Sequence, residues 1–182
     1  MKITDIGVFG VKVVEPRVFS DDRGCFFETW RENDFRREIF DCALVQDNQS
    51  SSRCGVLRGL HYQIRHPQGK LIRAVRGEIY DVAVDMRKSS PSFGASVGIA
   101  LSAENRRMLW IPPWCAHGLL VLSPEADVVY RCRDYYHPED ERTVSWRDPD
   151  IGIQWPLPKG VLPALSARDE AAPVLSAAEC YD

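Results

Sequence analysis

Between about residues 46 and 132, apolar and polar positions alternate in short runs broken by turn residues, a β pattern rather than a helical one. The runs cover 57–63, 70–75, 79–85, 95–101, 108–111, 118–122 and 127–132. Pro67 and Gly69, Arg76-Gly77, the Lys-Ser-Ser-Pro-Ser stretch ending at Ser92, Pro112-Pro113 and Ser123-Pro124-Glu125 separate them. Seven closely spaced strands predict an antiparallel sandwich or barrel, since βα alternation would need helical runs between them. One helix is expected over 32–40, with Phe35, Ile39 and Phe40 on a shared face and Asn33 as its cap. Residues 8–14 read as a strand with no hairpin partner, so pairing with a second copy of the chain would cover its edge. After Trp155 the chain turns proline- and alanine-rich and should wrap the surface with a short helical turn. The expectation is one mainly β domain over 1–182, with an N-terminal strand arm and a C-terminal wrapping segment.

Composition narrows the partners. The 182 residues are 45% hydrophobic and 27% charged, which are globular values, and the formal net charge is −3. With 23 basic against 26 acidic side chains there is no general basic surface, so nucleic acid is not an expected partner. A small basic pocket for a phosphorylated ligand remains compatible with that balance. No apolar segment is long enough to span a bilayer, and the opening residues lack the features of a signal peptide, so no membrane partner and a cytoplasmic location are expected. The six cysteines (25, 42, 54, 115, 132 and 180) are scattered without a Cys-x-x-Cys motif. They read as reduced thiols, most of them small core residues.

Candidate chemistry is sparse enough to weigh residue by residue. Of four histidines, His66 and His137 each precede a proline in a loop and read as structural. His61 shares a strand face with Leu57, Gly59 and Gln63, which puts a polar pair either in water or in a pocket. His117 opens a strand after Pro-Pro-Trp. Tyr130 alternates with Val128 and Cys132 and should face inward, with Arg131 and Arg133 outward. Lys70 begins a strand. Arg58 needs a partner within Val-Leu-Arg-Gly-Leu, and in a straight strand it would point away from His61. Both reach one site only if Gly59 makes a bulge. A metal-binding β-barrel would show a His-x-His pair and a following carboxylate. Here Gln63 replaces the second histidine and Pro67-Gln68 stand where the carboxylate would, so no metal is expected.

Several segments in one register resemble the dTDP-4-dehydrorhamnose 3,5-epimerase family. They include Asp21-Asp22-Arg23-Gly24, Gln46-Asp47-Asn48, Gly55-Val56-Leu57-Arg58-Gly59-Leu60-His61, Gln68-Gly69-Lys70, Ala116-His117-Gly118 and Ser166-Ala167-Arg168-Asp169. The resemblance implies a cupin-type jelly-roll barrel (double-stranded β-helix) with a few short helices, working without a cofactor as a homodimer. The implied substrate is a dTDP-4-keto-6-deoxyhexose, inverted at C3 and C5. It makes His61 the general base, Asp169 its support, Tyr130 the general acid and Lys70 the enolate stabiliser. Arg23, Glu28, Gln46, Asp47, Asn48, Arg58, His117, Glu141 and Arg168 would bind the nucleotide sugar, and Phe26 is a candidate platform for the base. Trp114 stands where the family has a smaller residue and hints at an altered pocket. The alternatives are a mono-epimerase acting at one carbon only and a non-catalytic cupin that binds a nucleotide sugar.

Overall fold

A computed structural model of the chain describes residues 1–157 and 161–182; the part of the expected wrapping segment at 158–160 lies outside the described residues. Among the described residues thirteen strands occur in chain order: β1 (Lys2–Asp5), β2 (Lys12–Glu15), β3 (Val18–Asp21), β4 (Gly24–Phe27), β5 (Gln46–Arg53), β6 (Leu57–Gln63), β7 (Lys70–Arg76), β8 (Glu78–Asp85), β9 (Ser96–Ser102), β10 (Met108–Ile111), β11 (Cys115–Val121), β12 (Glu125–Cys132) and β13 (Glu141–Thr143). Two short α-helices accompany them, α1 (Glu32–Glu38) and α2 (Ala167–Glu170). A six-stranded sheet in the order β1-β2-β10-β7-β12-β5 faces a five-stranded one in the order β13-β6-β11-β8-β9, with antiparallel neighbours throughout. This is a jelly-roll sandwich, as expected.

The period of two sorts side chains into three layers. Between the sheets lie Ile72, Ala74, Ile79, Ala83, Leu109, Leu119, Val121 and Val128. The outer face of the five-stranded sheet presents Leu60, Tyr62, Val82 and Val84, which the C-terminal segment covers with Leu175 and Cys180. On the outside of the six-stranded sheet, Phe35 and Ile39 pack on Val14, Leu71, Met108 and Trp110. The helix thus buries the face predicted for it, but α1 ends at Glu38, and its N-cap is Arg31 without a side-chain cap bond, not Asn33.

Two expectations are corrected. Residues 8–14 are not one strand: Val8 and Val11 sit in a turn, with Val11 N–H donating to the Val8 carbonyl. Moreover β2 is paired on both sides, by β1 and by β10, so it offers no free edge to a second copy. The seven predicted strands are present with ends shifted by a few residues. β5, whose sequence Gln-Asp-Asn-Gln-Ser-Ser-Ser-Arg is wholly polar, pairs along its full length with β12. The cysteines divide evenly rather than mostly inward: Cys115, Cys132 and Cys180 are buried, Cys42 is half-buried, and Cys25 and Cys54 are exposed.

Candidate active site

The open end of the sandwich forms a cleft of about 310 Å³ whose walls come from both sheets. β5 lends Gln46 and Asn48, β7 Lys70 and β12 Tyr130, while the facing sheet contributes His61 and Gln63 on β6 and Glu141 on β13.

A register shift turns His61 toward this cleft. β11 pairs His117 with His61 and Leu119 with Arg58, so three steps along β6 match two along β11. The extra residue is a bulge at Gly59–Leu60. Gly59 has φ +125°, and a Cβ there would lie 2.5 Å from the Gly118 Cα and 2.6 Å from the His117 carbonyl oxygen. Only glycine fits. The irregularity expected at Gly59 is therefore present; Arg58, outside the cleft lining, donates from Nε to the Ser52 hydroxyl at 3.1 Å and is close enough to Tyr130 for its charge to act on the phenol.

His61 is held from behind. Its Nε2 lies 2.5 Å from Asp169 Oδ1, on α2, where the Ser166 hydroxyl accepts from the Asp169 backbone N–H. Burial pushes the Asp169 carboxyl up, but hydrogen bonds from His61 and Ser166 and the Gly59 backbone N–H hold it below the usual carboxylate range. An ionised Asp169 requires the proton on Nε2 of His61, which leaves Nδ1 with its lone pair as the basic edge. On the opposite sheet, burial raises the Tyr130 phenol above its ordinary value, assisted by Cys132 and opposed by Arg58. It is therefore protonated at neutral pH. Lys70, mostly buried on the cleft floor, is pushed down by burial and pulled back up by Cys132, Glu141 and Asp81.

At the rim, Glu141 accepts at 2.5 Å from both the Tyr136 hydroxyl and Arg168 Nη1. Gln46 accepts the Tyr136 backbone N–H and donates to Asn48. Gln63, standing where a metal ligand would, instead spends its amide on the backbone of His66, Tyr135 and His137. Among the described residues no three His, Cys, Asp or Glu side chains converge as a metal would require. His66 and His137 stack on each other, and His66 bonds Asp140.

Of the residues singled out from sequence, His61, Lys70, Tyr130, Gln46, Asn48 and Glu141 line the cleft, and Asp169, Arg168, Arg58 and His117 adjoin it. Asp47 does not: it points out of the other face of β5 and pairs with Arg131 at 3.2 Å. Arg23 and Phe26 belong to the exposed β3–β4 hairpin, Arg23 pairing with Asp21, and Glu28 just beyond it pairs with Arg31. Trp114 packs against the core and under Arg87 rather than in the cleft, so it does not shape the pocket. Sequence reasoning paired Gln63 with His61 on one strand face but gave it no role, and it passed over Tyr136, Gln68 and Asp81 as site residues. Asp81 had a legible signal, a lone charge inside the apolar run Ile-Tyr-Asp-Val-Ala-Val; Tyr136 had none.

Residues 5–177 match the family model described as dTDP-4-dehydrorhamnose 3,5-epimerase. The Pseudomonas aeruginosa dTDP-4-dehydrorhamnose 3,5-epimerase is 49% identical over 182 residues, covering 100% of this chain and 99% of that protein. A Neisseria gonorrhoeae protein of the same name is 52% identical over 98% of this chain, which spans only about half, 54%, of that relative's length. The crystal structure of the Legionella pneumophila dTDP-6-deoxy-D-glucose-3,5-epimerase, in complex with dTDP-4-keto-L-rhamnose, superposes with a TM-score of 0.93. It is 45% identical, and the match covers 97% of this chain and 93% of that one.

Proposed function

Since the chain belongs to the dTDP-4-dehydrorhamnose 3,5-epimerase family, a family of isomerases, we propose that it inverts C3 and C5 of dTDP-4-keto-6-deoxy-D-glucose, with His61 as base and Tyr130 as acid. The observation that carries this mechanism is their placement on opposite sheets, His61 on β6 and Tyr130 on β12, across one cleft. Epimerisation needs a proton removed from one face of a carbon and returned to the other.

The substrate's C4 carbonyl acidifies the protons at C3 and C5. His61 Nδ1 takes one of them, and the C–H electron pair moves into the ring to place charge on the C4 oxygen. Lys70 stabilises that enolate oxygen. The enolate carbon then takes the Tyr130 proton from the other side, and solvent restores both groups. No redox cofactor or metal is needed, because the substrate's own carbonyl receives the electron pair. Arg168 and Arg58 at the cleft margins suit the diphosphate, since guanidinium groups bind its oxygens in pairs.

The protein acts as a homodimer in this proposal. Phe19 and Phe26 on the β3–β4 hairpin are 52% and 71% exposed, a costly arrangement unless a partner covers them. That hairpin also carries Arg23, which does not line its own chain's cleft. Unpaired cysteines fit the reducing cytoplasm, and among the described residues no helix is long and apolar enough to cross a membrane.

The test is NMR of dTDP-4-keto-6-deoxyglucose with the enzyme in D2O. Exchange at C3 and C5, abolished by His61→Ala, is expected. Exchange at one carbon would make it a mono-epimerase, and bound ligand without exchange would overturn catalysis.

A further inference from the structure

Asp81 is buried completely on β8, facing the sandwich interior beside Ile79 and Ala83. Its Oδ1 accepts from His117 Nε2 at 2.7 Å, while its Oδ2 has no hydrogen-bond partner among the described residues. A carboxylate in that position is costly unless cations compensate it, and no arginine or lysine lies within ion-pair distance of it among the described residues. Lys70 shows the converse arrangement. It sits mostly buried on the cleft floor with no carboxylate within ion-pair distance among the described residues.

His117 is bonded to the first of these charges and feels the second. It is the direct cross-strand partner of His61, and it is close enough to feel the charges of Lys70, His61 and Asp81. Two histidines therefore lie side by side on one sheet face, each backed by its own carboxylate, His61 by Asp169 and His117 by Asp81.

We propose that Asp81 is a positioning residue of this site, the buried counter-charge that keeps Lys70 cationic and His117 oriented with Nε2–H toward it. The proposal deepens the epimerase reading and rests on it for Lys70's role at the C4 oxygen. Chemically, a cation awaiting an enolate oxygen in a desolvated cleft loses its proton unless an anion is nearby. That anion cannot bond Lys70 directly without blocking the substrate oxygen. An anion held out of contact with Lys70 and tied down by His117 meets both needs. The other groups acting on Lys70 and His117 are Cys132 on β12, Glu141 on β13 and His61 on β6. Of the carboxylates acting on Lys70, Glu141 is already engaged by Tyr136 and Arg168 at the rim.

The test is Asp81→Asn, which keeps the shape and removes the charge. The alkaline limb of the kcat/KM profile, where Lys70 loses its proton, is expected to move to lower pH by about one unit. kcat is expected to fall about 10- to 100-fold, with KM changing less. A fall in kcat with the alkaline limb unmoved would mean a merely structural role and would overturn the proposal, as would an unchanged enzyme. A second measurement needs neither the variant nor turnover: 15N NMR of the imidazole nitrogens in the unliganded wild-type protein. His117 should carry its proton on Nε2 throughout pH 6–9. A bare Nε2 would mean that Asp81 is the protonated partner and carries no charge. Absence of exchange in the wild-type enzyme would sink the epimerase reading, and the NMR result would still decide whether Asp81 is charged.

Discussion

At the level of single side chains, the proposed chemistry divides between the two sheets, and variants should divide with it. His61→Ala removes the proposed base, so proton exchange and inversion should both be lost. Tyr130→Phe leaves the base in place with no donor on the opposite face. Its product formation should fall by about 10²- to 10⁴-fold, yet deuterium should still enter from the His61 side with retention of configuration. Following label and stereochemistry together by NMR checks this, and equal loss of both in Tyr130→Phe would refute the division of labour. Inward placement of Tyr130 was legible from its alternation with Val128 and Cys132. The pairing of Asp169 with His61 was not, because 108 positions separate them and no local pattern links a tail residue to a strand. Only the family resemblance pointed there.

At the level of elements, a bulge and a turn carry the site. In β6, the backbone at Gly59 touches the Gly118–His117 backbone so closely that Gly59→Ala must force the strands apart. A loss of about 3 kcal/mol or more in urea unfolding is expected, and activity should fall with it because His61 loses its aim. At the end of β8, Asp85 organises the turn into β9. Burial opposes its ionisation, but hydrogen bonds from Arg87, Ser90 and Ser92 outweigh that and depress its pKa to about 2. A carboxylate depressed in the folded state adds stability above its ordinary pKa near 3.8, and that stability disappears as pH falls through the folded value. Asp85→Asn should therefore cost about 2 kcal/mol at pH 7. The gap to wild type should close between about pH 4 and pH 2, which urea titrations at several pH values would show. Strands with an apolar face were visible in the hydrophobic pattern. β5 was invisible to it, since it sits at a sheet edge with no apolar residue to alternate, and its identity comes from pairing with β12.

Across the whole molecule, the proposed homodimer turns on one hairpin. The proposed sugar chemistry lies on the wall formed by β5, β6, β7, β12 and β13, whereas Arg23 and Phe26 lie on the exposed β3–β4 hairpin and Glu28 just beyond it, outside the cleft lining. The first argument for a second copy, a free edge at residues 8–14, fails because β1 and β10 flank β2. The exposed aromatic hairpin replaces it. If the hairpin of one protomer completes the cleft of its partner, two inactive variants should rescue each other. His61→Ala spoils only the cleft of its own chain, and Arg23→Ala spoils only the cleft of the partner. In a mixed dimer, the Arg23→Ala chain keeps its His61 and receives an intact hairpin, so one of two sites is whole. Random exchange should then restore about a quarter of wild-type activity, half the dimers being mixed with one site each. Were each hairpin to serve its own chain, both sites of the mixed dimer would stay defective, and co-refolded variants would be no more active than either alone.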